Sequence, residues 1–384
     1  RTANTFRTMA TLERYQGHFY NWYDTQSVKP LLPLYVSTVD SGNLAGHLLT
    51  LQSGLLALQD RPIVTVQWFE GLRHTIKVLV EVAGTTAAPG LSQLQTAIEN
   101  IRLDPPSTFA AIITCIERLA VIAEQLAEDS SVIAGVEANW WVGALVRQCR
   151  DGLDDLRCLV PASSRLNTEL DSIPTLRQLS SVENFESSRP ATERIAAIDR
   201  LALQAGQFAD VDYDFLLDKK RRLFVIGYNL SERRADSSYY DLLASEPRLA
   251  NFVAIAQGQV PQETWFALGR LLTSSAGDPV LISWSGSMFE YLMPLLVMPT
   301  YENTLLDQTC KAAVKKQIQY GEKRRVPWGI SECGYNTVDV HMNYQYRAFG
   351  VPGLGFKRGL SDDLVITPYA SALALMVQPE EACV

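Results

Sequence analysis

The chain has 384 residues, 47% of them hydrophobic, and a formal net charge of −8. That length and content suit one large domain or two ordinary ones with a sizeable core, and the acidic balance argues against a nucleic-acid binder, which needs basic patches. Six scattered cysteines (115, 149, 158, 310, 333, 383) form no C-x-x-C pair, and His18, His47, His74 and His341 show no ligand spacing, so a zinc site is not expected and free thiols in a reducing compartment are.

Residues 5–58 are aromatic and turn-rich, with RYQGHFYNWYDT followed by VSTVDSGNLAGHLLTLQSGLLAL. Asp40 or Ser41 can cap a helix running from about Asn43, with Leu44, Leu48, Leu51 and Leu55 at helical spacing. A second helix is predicted near 64–82. Residues 83–205 are rich in Ala, Leu, Glu, Gln and Arg, punctuated by Pro105-Pro106, Pro161 and Pro190. Their periodic apolar stripes predict a helical insert or bundle that serves as scaffold. From Asp212 the texture changes: YDFLLDKKRRLFVIGYNL predicts a β-hairpin around a charged turn. The segments SSYYDLLASEPRLANFVAIAQG, ETWFALGRLL and SGSMFEYLMPLLVM then read as short helices between loops rich in Gly, Pro and aromatics. The longest apolar run, around 289–298, is broken by Pro294 and bounded by Pro299, short of the ~18–20 residues of a membrane span. With Arg1 in first place and no signal peptide, the chain reads as a soluble piece of a longer protein. Three parts are expected: 1–82, 83–205 and 206–384.

Three glutamates stand where an acid is out of place. Glu246 opens a helix in LLASEPRLAN, Glu290 lies inside the apolar stretch MFEYLMP, and Glu332 sits in the loop PWGISECGYN. Burying an ionised carboxylate is costly, so each needs a partner, a proton or a cavity. The plain readings are a helix-dipole acid for Glu246, an ion pair with an arginine for Glu290, and a turn acid paired with Lys323, Arg324 or Arg325 for Glu332. Carboxylates beside Trp, Tyr and Gly point to a carbohydrate site. Asp24 and Asp40 suit hydroxyl binding, and equally turn and cap roles; Asp363 follows Asp362 in RGLSDDL, where a cap is as good a reading. Trp22, Tyr23, Tyr240, Trp284, Trp328 and Tyr335 offer faces for sugar stacking, with core packing as the alternative for each. No G-x-S-x-G elbow or phosphate loop is present; VPGLGFKRG is Gly-rich but lacks the strand–helix setting.

The segments YYDLLASEPRLANFVAIAQGQVP, SWSGSMFEYLMPLLVMPTYENTLLDQTC, PWGISECGYN and YQYRAFGVPGLGFKRGL resemble the glycoamylase-like region of bacterial cyclic β-1,2-glucan synthases. The opening TLERYQGHFYNWYDTQSVKPLLPLYVSTVDSGNLAGHL is similar to the segment preceding that region. The resemblance covers about 1–80 and 210–384. It implies a mainly α fold, an (α/α)6 toroid with a helical insert, incomplete at its C-terminus because the family pattern runs past Val384. It also implies a setting: a large protein on the cytoplasmic face of the bacterial inner membrane, with glycosyltransferase and phosphorylase-like domains in the same chain. The part resembled here closes linear β-1,2-glucan into a ring by transglycosylation. Carried onto this sequence, Glu246 and Glu332 match the acidic motifs as acid/base and nucleophile, with Glu290 third. No metal or organic cofactor is implied. Hydrolysis of the same glucan, or a non-catalytic glucan-binding module, are the competing readings.

Such a reaction preserves the β linkage, so it needs two displacements through a glycosyl-enzyme and carboxyls about 5–5.5 Å apart. One carboxyl must keep its proton near neutral pH, which burial can achieve.

Overall fold

The computed structural model describes residues 1–84, 89–128, 135–160, 172–182, 185–275, 277–340, 342 and 344–383. His341 and Pro161 fall outside the described residues. The protein is mainly helical, as expected, and divides into two compact units, 53–203 and 1–52 with 204–384. Among the described residues no helix is long and apolar enough to cross a membrane.

The first of these units, 53–203, starts well before the 83 expected for the helical part. The reason lies in helix Val66–Ala83, whose Phe69, Leu72, Ile76 and Leu79 recur at three- and four-residue intervals. They bury into the same core as Leu94 and Ile98 of Pro89–Leu103, Ile112, Ile116 and Leu119 of Phe109–Glu128, and Leu145 and Leu153 of Val136–Leu159. Each such side chain contributes about 1.5–3 kcal/mol on full burial. Two ion pairs, Arg157–Glu117 and Arg150–Glu124, both at 2.7 Å, mark the antiparallel register of the last two helices. Exposed as they are, they contribute little stability. Pro190 does not separate elements. It lies inside helix Phe185–Ala209, where it removes one backbone hydrogen bond without ending the helix.

The unit formed by 1–52 and 204–384 is built otherwise. Helices as short as Glu263–Ala267 and Met288–Leu292 alternate with long loops, and the described strands form five small antiparallel sheets. The expected hairpin is present, with Leu217–Asp218 paired to Leu223–Phe224. Just beyond it, Gly227–Asn229 pairs on one side with Arg234–Ala235 and on the other with Tyr35–Ser37, which ties the start of the chain to its later part.

Strand Tyr35–Ser37 runs directly into a helix. That helix spans Thr38–Ala57, so Asp40 and Ser41 lie in its first turn rather than capping a start at Asn43. Within this unit its buried face takes Leu48 of the predicted helical stripe and is otherwise made mostly of small residues. Val39, Gly42, Ala45, Gly46 and Leu48 are buried, while Leu51 is exposed. The cause is a near neighbour, helix Pro247–Ala256. A Cβ on Gly42 would lie 2.2 Å from the Ala250 Cβ, and one on Gly46 3.2 Å from Leu249. Two glycines one turn apart let the helix backbones meet, and at Gly42 no larger residue fits without moving the neighbouring helix.

Candidate active site

Glu290 is the best-satisfied group in the region. Its helix, Met288–Leu292, is only five residues long and is held by a capping box between Ser287 and Glu290. The preceding loop, SWSGS, wraps the carboxylate. Ser283 Oγ donates at 2.8 Å, Ser285 N at 3.0 Å, Ser285 Oγ at 2.6 Å and Ser287 N at 3.2 Å, all to Oε2. Ser245 N approaches Oε1 at 3.3 Å. These donors satisfy a carboxyl group only 3% exposed. The arginine expected as its partner exists but binds elsewhere: the buried Arg248 guanidinium donates to the backbone carbonyls of Glu290 and Tyr291.

The glycine-rich VPGLGF loop explains how the serine loop keeps its shape. Ser283 N donates to Leu354 O, Phe356 N to Ser283 O and Val351 N to Gly286 O. A Cβ on Gly350 would meet Ser285 O at 1.8 Å, and one on Gly355 would meet Gly286 N at 2.4 Å. These glycines serve backbone-to-backbone packing under the serines.

Glu246 precedes helix Pro247–Ala256 at the capping position but makes no cap hydrogen bond. Its carboxylate turns instead to Asn43, whose Nδ2 donates to Oε1 at 2.5 Å, and to Ser245, whose hydroxyl donates to Oε2 at 2.5 Å. Asn43 stands one position after Gly42, so the close helix contact delivers it. Ser245 bridges two acids, its N–H to Glu290 and its Oγ–H to Glu246, and does so with φ of +56°. A non-glycine residue in that region costs of order 1–3 kcal/mol and clusters at functional sites. Burial pushes the Glu246 carboxyl above its ordinary value; the Asp40 and Glu290 charges add to this, and the two hydrogen bonds oppose it.

Glu332 is half-buried, next to strand Cys333–Val338. Burial, then the charges of Glu246 and Glu290, push it up to about 7, against a hydrogen bond from the Tyr346 hydroxyl. Tyr346 is paired with Gly334 across the hairpin, so its ring crosses a residue without a side chain to reach Glu332 diagonally. Beneath, the Tyr369 hydroxyl lies 2.8 Å from Ser331 Oγ and 2.7 Å from the Glu332 carbonyl, and Phe289 N donates to Ser331 Oγ at 3.0 Å. Among the described ion pairs none involves Glu332, and the expected pairing with Lys323, Arg324 or Arg325 is not among them.

Three acids far apart in sequence therefore share one electrostatic field, and Asp40 joins it by raising both Glu246 and Glu332. Tyr240 is buried close enough that the Glu246 charge, after burial, pushes its hydroxyl up. Trp284 sits 60% exposed between Ser283 and Ser285. Trp22 is also exposed. The other expected binding residues have structural partners. The Tyr23 hydroxyl donates to Glu13 O and receives Tyr20 N. Asp24 closes a turn on Gln26 and Ser27. Trp328 fills the space left by Gly321. Tyr335 packs edge-on against Phe349 at 5.1 Å. Asp363 pairs with Arg347 at 2.5 Å.

Asn43, Ser245, Arg248, Tyr346 and Tyr369 were not singled out in the sequence. Only Ser245, lodged in LLASEP beside a singled-out acid, carried a local signal.

A site of clustered, partly neutralised carboxylates is the equipment of a glycosidase-type enzyme. Residues 238–384 match the family model "Glycoamylase: Putative glucoamylase". The whole chain is similar to the cyclic beta-(1,2)-glucan synthase NdvB of Rhizobium meliloti (strain 1021). The two are 35% identical over 407 aligned positions, covering 100% of this chain and 13% of that protein. The resemblance drawn from the motifs is thereby shown, for a chain that spans about an eighth of its relative's length.

Proposed function

We propose that this chain processes β-1,2-glucan by retaining transglycosylation, closing linear chains into rings. The observation that carries this reading is the shared field around Glu246 and Glu332, in which burial raises both, the Glu246 charge raises Glu332 further, and a proton is retained near neutrality. The similarity to a cyclic glucan synthase supports the substrate.

In this reading the Glu332 carboxylate attacks the anomeric carbon while Glu246, the more deeply buried acid, gives its proton to the departing 2-oxygen. The C1–O2 bond breaks and a glycosyl ester on Glu332 forms. The 2-hydroxyl at the far end of the same chain then attacks C1 and passes its proton to Glu246. The ester breaks, a β-1,2 bond forms, and no water is consumed. Glu290, wrapped by serines, holds the geometry. Trp284 is the best placed of the aromatics to stack on a sugar face. The wider setting belongs to the same proposal: an (α/α)6 toroid with its helical insert, working beside glycosyltransferase and phosphorylase-like domains at the cytoplasmic face of the inner membrane.

Incubation with linear β-1,2-glucan and mass spectrometry of the products tests it. Rings weigh one water less than linear chains of equal length. Steady appearance of reducing ends without rings would make the chain a hydrolase instead.

A further inference from the structure

A cavity of about 240 Å³ opens on the wall that carries Asp40, lined by His18, Phe19, Asn21, Asp40, Ser41 and Phe208 among others. The Asp40 charge acts on Glu246 and Glu332, so the cavity neighbours the acids but contains none of them. Its hydrogen-bonding character follows from one buried imidazole. His18 Nε2 lies 2.7 Å from the Asp212 carbonyl, which only accepts, so Nε2 carries the hydrogen. Burial lowers the proton affinity of the ring and keeps it neutral. Nδ1 is then a bare acceptor, and the Ser41 hydroxyl, 2.8 Å away, donates to it. Ser41 Oγ is left with lone pairs only. The Asn21 side chain is fixed by two bonds: its Nδ2 donates one hydrogen to Asp40 at 3.0 Å and its Oδ1 receives Ser37 N at 3.0 Å. The polar groups left for a ligand are two acceptors, Ser41 Oγ and the Asp40 carboxylate, and one donor, the second hydrogen of Asn21 Nδ2.

Acceptors beside a negative charge repel anions and welcome hydroxyl donors. Phe19, Phe208 and Leu44 supply apolar surface for the carbon face of a ring. The volume lies below the ~300–1,000 Å³ of drug-sized sites, which leaves room for one ring rather than an oligomer. We propose that this cavity is a subsite for a single neutral sugar ring, which donates hydroxyls to Ser41 and Asp40 and lays its apolar face on Phe19 and Phe208. The assignment of that ring as a glucosyl residue of the chain being processed rests on the function proposed above.

The test is ligand-observed NMR titration of the full chain with methyl β-glucoside and with glucose 6-phosphate, in wild type, Leu44→Trp and Phe19→Ala. Circular dichroism confirms folding of each variant. Leu44→Trp fills the cavity and Phe19→Ala removes a wall. We expect binding of the neutral glucoside, at least tenfold weaker in Leu44→Trp and several-fold weaker in Phe19→Ala, and no binding of the phosphate. KM for linear glucan should rise about tenfold in Leu44→Trp with kcat kept. Equal glucoside affinity in wild type and both variants, equal binding of the phosphate, or no glucoside binding at all would each overturn the subsite. Because the titration needs no turnover, the two proposals fail separately. Absent ring formation with cavity-dependent binding intact sinks the reaction alone, and ring formation indifferent to both variants sinks the subsite alone.

Discussion

In residues 53–203 most deeply buried side chains are apolar and recur every three or four positions, as with Ile112, Ile116 and Leu119, and no carboxylate is among the buried described residues. In 1–52 with 204–384 the buried set also holds Glu246, Glu290, Arg248, Ser283, Ser285 and Ser287. Burial in the first case chiefly removes apolar surface from water. In the second, burial sets charge: it withholds solvent from carboxylates and lets hydrogen bonds and neighbours decide which stays ionised. A mutation should therefore read out as stability in one unit and as chemistry in the other.

The largest effects test that division directly. Glu332→Gln and Glu246→Gln should each cut ring formation by about 10³-fold or more, since each removes a group that exchanges a proton or a bond with the sugar. Neither should lower the melting temperature, because each removes a carboxylate that burial and like charges disfavour. Ile116→Ala should do the reverse, costing about 2–5 kcal/mol in denaturant unfolding with kcat of the folded fraction unchanged. Azide rescue refines the roles. An acid/base variant should yield the β-glucosyl azide and a nucleophile variant the α anomer.

Glu290→Gln separates the third acid from the other two. The amide places two hydrogens among donors that already point at Oε2. Hydrogen bonds to a charged group are worth about 1.5–3 kcal/mol each, so unfolding experiments should show a loss of roughly 3 kcal/mol. A Glu290→Gln protein as stable as wild type would return Glu290 to the reacting pair.

Acid titration sharpens the contrast next. Glu332 binds its proton more tightly folded than unfolded, rising from 4.5 to about 7. Its stabilising contribution is full below pH 4.5 and is lost as pH rises through 7, a swing of about 3 kcal/mol. Unfolding free energies of wild type measured between pH 4.5 and 8 should decline relative to Glu332→Gln by that amount. Ring formation should fall as pH drops below about 7, because Glu332 must be ionised to attack the anomeric carbon.

The two units also differed in how far their sequences could be read. The stripes of 109–128 and 136–159 announced helices and a core because periodicity is local and each period repeats the same instruction. The acids of the site were legible singly, as carboxylates in apolar or Gly- and Trp-flanked settings. Their partners were not. Asn43 meets Glu246 across a helix contact, Tyr346 meets Glu332 across a hairpin, and Ser245 reaches Glu290 from 45 positions away. An asparagine, a tyrosine or a serine is ordinary in isolation and becomes functional only through long-range packing. The leucine spacing 44–48–51–55 announced a helix, which is present, but not the face by which Gly42 and Gly46 meet a neighbour the local sequence does not mention.

The smallest effects make the finest test, because they lie on one helix. Thr38–Ala57 contains Gly42 in the unit that carries the acids and Gly54 beyond the boundary at 53. Added to a solvated helix position, a methyl group stabilises by about 0.5–1 kcal/mol relative to glycine. A Cβ on Gly54 meets nothing within 4 Å, so Gly54→Ala should gain that amount and leave activity alone. At Gly42 the same methyl falls 2.2 Å from the Ala250 Cβ. The helices must part, at a cost of about 1–3 kcal/mol. Asn43 moves with its backbone, the 2.5 Å bond to Glu246 lengthens, and ring formation should drop about tenfold with KM little changed. Gly42→Ala that weakens stability without touching kcat would mean Asn43 does not position the acid. Opposite signs from one substitution, twelve positions apart on a single helix, would show that packing here is in the service of a carboxylate and there is only packing.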